Sequence, residues 1–240
     1  MSRSNPTTHI SNPATRWFEW NGEIGEVRFY DKALKTSINV GPHFTFLLLD
    51  QLGSVGGWHD ASTSSIYSNE VRDTRQETLV VKAFKGGTLA EGIYRDIRDR
   101  VAALGGQFVA VCYLAHKTPE GALALGAIKF KGAALNAWVE FTKAHRVDLY
   151  THAVAINGYT EGKKGRIVFR VPNFTLVNVS DTTQEAATKL DVQLQTYLTG
   201  YLSRTTHDRV EPSHVSDESF VTDDDYDTAV PTPADDDIPF

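Results

Sequence analysis

Residues 107–131 read QFVAVCYLAHKTPEGALALGAIKFK. Two β-compatible runs, Gln107–Ala115 and Ala122–Lys131, flank the turn Thr118-Pro119-Glu120-Gly121, so the segment predicts paired strands rather than a helix. Near its end the alternation is explicit. Lys129 and Lys131 fall on one face of a strand, and Ile128 and Phe130 fall on the other. Working toward the N-terminus, residues 88–104 carry Leu89, Ile93, Ile97, Val101 and Leu104 at helical spacing, with Thr88 as a cap and Gly105-Gly106 as a stop. Residues 78–84 read as a strand. Residues 51–76 are rich in Gly, Ser and Thr and read as loop, with Trp58 and Tyr67 among them. The apolar run 37–50 is bent at Gly41-Pro42, because proline cannot donate to a ladder. Residues 27–31 and 16–20 form a hairpin about Asn21-Gly22.

Working toward the C-terminus, residues 133–145 predict a second helix, with Trp138 and Phe141 in the core. Residues 149–159 and 166–177 predict strands around the loop 160–165. Residues 182–202 predict a third helix. The sum is seven or eight strands and about three helices. The strands cluster in hairpins instead of alternating with helices, which predicts a β-rich α+β fold and excludes a doubly wound parallel sheet.

Composition separates a globular body from an unlike end. The 240 residues are 41% apolar, 10% aromatic and 22% charged. The single Cys112 excludes a disulfide framework and a multi-cysteine zinc site. No apolar run nears the roughly 20 residues of a membrane helix. The first residues, MSRSNPTTHISNPATR, have no hydrophobic stretch behind their charge, so no secretory signal is expected. The net charge of −6 averages two parts: residues 207–240 hold eleven acids and one base, and the other 206 residues hold 23 bases and 19 acids. Residues 207–240 lack periodicity and predict a disordered acidic tail. Residues 1–14 predict a flexible arm. The domain is then 15–206.

The chain ends in Asp235-Asp236-Asp237-Ile238-Pro239-Phe240. Phe240 unites a ring with an α-carboxylate, Ile238 adds a second apolar anchor, Pro239 stiffens the link, and the aspartates attract a basic rim. Such a peptide suits a small apolar pocket with an Arg or Lys beside it. DDDIPF resembles the terminal peptide of bacterial single-stranded-DNA-binding proteins. In length and architecture the whole chain is similar to the larger single-stranded-DNA-binding proteins of tailed bacteriophages. The resemblance implies an elaborated oligonucleotide-binding (OB-like) β-barrel that covers single strands without sequence preference in phage replication, recombination or repair. It also implies that residues 235–240 recruit replication, recombination or repair proteins of host or phage, in the cytoplasm of an infected bacterium.

Strand binding of this kind needs cations for phosphates and aromatic faces for bases. Lys129 and Lys131 qualify as a cationic pair, and Lys82 shares a face with Phe84. Lys163, Lys164 and Arg166, beside Tyr159, predict a basic finger. Trp58 and Tyr67 are the first candidates for stacking, with Trp20 next. Enzyme signatures are absent: there is no HExxH, GxxxxGK[ST], GxSxG or GxGxxG. The eight histidines show no metal-ligand pairing, so no cofactor, metal or catalytic step is expected. Two rival readings stand beside this one. A recombination mediator or annealing protein shares the binding chemistry and is separated by a strand-annealing assay. An interaction protein that mimics the tip to bind host replication proteins would bind a partner's pocket without retarding an oligonucleotide.

Overall fold

The computed structural model describes residues 11–210. It is a single strand-rich sheet with three helices. The strands are β1 (Arg16–Asn21), β2 (Glu26–Asp31), β3 (Thr36–Gly41), β4 (His43–His59), β5 (Ser64–Ser68), β6 (Leu79–Ala83), β7 (Gly87–Gly92), β8 (Gly106–Lys117), β9 (Leu123–Lys131), β10 (Ala153–Lys164) and β11 (Ile167–Val177). The helices are α1 (Tyr94–Ala103), α2 (Gly132–Ala144) and α3 (Asp181–Leu202). The main order is β3-β2-β1-β9-β8-β4-β5-β6-β7. The long β4 organises it. One edge pairs with β8 along most of its length, and the other is shared between β10 at His43–Phe46 and β5 at Gly56–His59. Strand β1 joins β9 in parallel, while the other paired strands are antiparallel.

Strand β11 swings back toward the start of the sheet. Arg170 N donates to Gly22 O and Trp20 Nε1 donates to Arg170 O, each at 2.8 Å. These are isolated bonds and not a ladder, so strand pairing does not close the sheet into a barrel.

Each sheet face has its own core. On one, Phe18, Phe46, Ile128 and Phe130 are buried with Trp138 and Phe141 of α2. On the other, Leu52, Val111, Tyr113, Leu125 and Ala127 are buried with Leu194, Tyr197, Leu198 and Tyr201 of α3. Alternation along β8 and β9 feeds both. Helix α3 starts where the Ser180 side chain accepts from Thr183 N, which satisfies one otherwise unpaired donor of the first turn.

The described residues hold eleven strands instead of seven or eight, and three further expectations change. Residues 88–91 belong to β7, paired to β6, and the helix begins only at Tyr94. Leu89 is buried in either arrangement, and a four-residue spacing satisfies a strand as well as a helix. Residues 51–68 are not a loop: β4 continues to His59 and β5 follows, and only 69–76 stay irregular. Their glycines serve close approach rather than turning. A Cβ at Gly57 would stand 2.1 Å from Gly105 O, and one at Gly53 would stand 2.9 Å from the Phe108 ring. Finally, the end of the N-terminal arm is fastened: Asn12 Nδ2 donates to Tyr113 OH at 2.9 Å, and Thr15 N to Leu125 O at 2.9 Å.

Candidate nucleic-acid interface

Register places the candidate residues. Gly56 lies opposite Tyr67, and Tyr67 opposite Lys82. One step along, Trp58 lies opposite Ser65, whose carbonyl accepts from Phe84 N at 2.9 Å. Residues directly opposite, and residues two apart on one strand, share a sheet face. Trp58, Tyr67, Lys82 and Phe84 therefore stand in two adjacent rows on one face. The same face continues across β8 and β9. Ser54 is opposite Val109 and Val109 opposite Lys131, while Leu52, Val111, Lys129 and Glu19 form the next row. This is the face that α3 covers farther along the strands. Where the helix ends, lysines and aromatics begin.

A groove crosses this bare part, lined by Trp17, Glu19, Tyr67, Glu70, Lys129 and Lys131 over a floor that includes Ser54, Gly56 and Val109. Phe84 is 44% exposed. Trp58, Tyr67, Lys82, Lys129 and Lys131 are half-buried. Burial pushes the Tyr67 phenol up, so it stays neutral. Burial also pulls the Lys129 ammonium down from its ordinary value, against the opposing pull of Glu70 and Glu19. Its Nζ lies 5.0 Å from the centroid of the Trp17 ring. Lys129 is thus tied to an aromatic and two carboxylates, whereas Lys82, two rows away and four strands along, stands clear of that cluster.

The wall carrying Glu70 is built from long-range bonds. Tyr201 OH accepts from Glu70 N at 2.8 Å and donates to Arg209 O at 3.0 Å. The Arg209 guanidinium, buried, meets Glu77 Oε2 at 3.2 Å. Residues 207–209, expected at the start of the tail, form a 3-10 turn at this spot.

Two sequence candidates change role. Trp20 is only 5% exposed, packs in the α2-side core and spends its indole N–H on Arg170 O. It offers no face to a base, because the parallel register with β9 turns it inward. Tyr159 is exposed, and one side of its ring packs on Gly25, where a Cβ would stand 2.4 Å away, with the Arg170 guanidinium 5.3 Å from its centroid. Gly25 has φ +74°, which suits glycine. Tyr159 braces the base of the finger rather than standing free. The finger itself is longer than the sequence indicated, because β10 and β11 stay paired to Lys164 and Ile167. Lys163, Lys164 and Arg166 are exposed at its tip. The β1–β2 turn that Arg170 touches is at the end of the sheet where Lys131 stands.

Sequence reading missed Trp17, Glu19 and Glu70. Trp17 and Glu19 share a face by parity, but which face depends on pairing with β9, more than a hundred residues away. The tip Asp235–Phe240 lies outside the described residues. Among the described residues no group of three or more His, Cys, Asp or Glu is placed to hold a metal ion. No helix there is long and apolar enough to cross a membrane. No protein-family model, curated protein or solved structure matches the chain.

Proposed function

We propose that the chain binds single-stranded DNA across the bare part of the α3-side face, without a catalytic step, and recruits replication, recombination or repair proteins through residues 235–240. One observation carries the reading: Trp58, Tyr67, Phe84, Lys82, Lys129 and Lys131, scattered over 74 residues of sequence, share one sheet face. Neighbouring strands are about 4.8 Å apart, so Trp58 and Phe84, on flanking strands of three, are about 10 Å apart and can meet different bases of an extended strand. Each stacked base contributes about 1–3 kcal/mol. Lys82, Lys131 and the finger cations neutralise phosphates. We read the circuit β1-β9-β8-β4-β10-β11, brought round by the Arg170 bonds, as an elaborated oligonucleotide-binding barrel. The cytoplasm of an infected bacterium is the setting that the tip resemblance supports.

The test is a titration of fluorescent single and double strands at several salt concentrations. Single strands bind more tightly than duplex, and log affinity falls with log salt at about −0.7 per phosphate neutralised. Equal affinity for duplex at moderate salt overturns the reading. Removing Phe240 alone leaves strand binding in place and abolishes capture of tip-binding replication proteins.

A further inference from the structure

The groove contains two carboxylates among its cations, which a channel for phosphates alone has no use for. Both are oriented. Arg28 Nε donates to Glu19 Oε1 at 2.7 Å, and Tyr113 OH donates to Glu70 Oε2 at 2.9 Å. Asn12 holds Tyr113 in turn. A phosphodiester laid against Glu19 and Glu70 would have to compete with these carboxylates for the cations already beside them, Arg28 on Glu19 and Lys129 near both. The sugar–phosphate chain is therefore better accommodated along Lys82 and the finger, with base edges turned toward the groove.

A carboxylate accepts hydrogen bonds and donates none. It favours a base edge rich in N–H groups and disfavours one that presents carbonyls. Guanine carries two adjacent donors, N1–H and N2–H, next to the acceptor O6. A carboxylate beside an ammonium is the complement of that edge. Thymine places carbonyls on both sides of its single donor, which opposes a carboxylate whichever way it lies. Adenine and cytosine each offer one amino group.

We propose that the groove holds a guanine by its Watson–Crick edge, with the Glu19–Glu70 pair accepting from N1–H and N2–H, Lys129 donating to O6, and the Tyr67 ring against the base. This rests on the single-strand reading and adds a base preference to it. A well-placed two-bond contact discriminates by about 5- to 150-fold.

The test measures fluorescence anisotropy of the full chain with labelled oligothymidylate, with the same strand carrying three central guanines, and with inosine in their place. The guanine strand binds about tenfold or more tightly than oligothymidylate. Inosine, which lacks the N2 amine, loses part of that gain. In the double variant Glu19→Gln, Glu70→Gln, with folding checked by its thermal melt, the guanine-to-thymine ratio falls toward one. Strands that all bind well, with guanine and thymine alike, overturn this inference and leave the strand-binding reading standing. Failure of every strand to bind overturns both.

Discussion

One sheet face is treated in two ways along the same strands. On β9, Leu125 and Ala127 are buried beneath α3, while Lys129 and Lys131, on the same side, lie beyond it. On β4, Leu52 is buried under the helix, and Ser54, Gly56 and Trp58 follow on that side. The backbone ladder is continuous across both parts. The bare part thus takes its rigidity from pairing it shares with the covered part, and needs no packing of its own to hold its side chains in register. A helix footprint on a sheet can thus be recognised by a change of chemistry within a strand.

The largest expected effect breaks the comparison from its covered side. Leu194, on α3, is fully buried against the sheet, and Leu194→Ala lowers stability by about 2–5 kcal/mol in urea denaturation. Lys131→Ala stays within about 0.5 kcal/mol. Equal losses from the two would make the bare part structural. Next comes stacking: Tyr67→Ala weakens single-strand binding by about 1–3 kcal/mol in an anisotropy titration. Trp58→Phe removes part of the fluorescence quenching on strand addition, and what remains reports Trp17 in the groove, because Trp20 and Trp138 are buried. Quenching that survives in full places the platform elsewhere. A smaller effect is read in salt dependence. Joint replacement of Lys163, Lys164 and Arg166 by Ala flattens the log–log slope by roughly 2. An unchanged slope means that the finger points away from the strand. Smallest is Lys82→Ala, which removes about 0.7 from the slope.

Much of this was legible locally. The helices over 132–144 and 181–202, the bend at Gly41-Pro42 and the pairing of 16–21 with 26–31 follow from spacing and turn residues. The cationic side of β9 follows from alternation alone. Three things were not legible. Gly53, Gly56 and Gly57 look like loop residues unless the approach of the Gly105–Val109 backbone and side chains is known. The inward turn of Trp20 is set by the β1–β9 register. Glu70 reaches the groove because Tyr113 and Tyr201, from β8 and α3, hold its side chain and backbone. Each of these depends on a contact distant in sequence, which short-range periodicity cannot carry.

The parallel docking of β1 on β9 has a consequence for synthesis. Phe18 pairs with Ile128, so the N-terminal meander β1–β3 has no neighbour to join until β9 has left the ribosome. At about 5–20 residues per second, it waits for about 5–20 seconds with Phe18, Trp20 and Phe29 uncovered. That interval is the chain's window for mispairing with other nascent copies. Of these three strands, only outer β3 carries no aromatic residue, and Ser37 and Asn39 are exposed on it, so the outer strand gives a nascent copy no exposed ring to join.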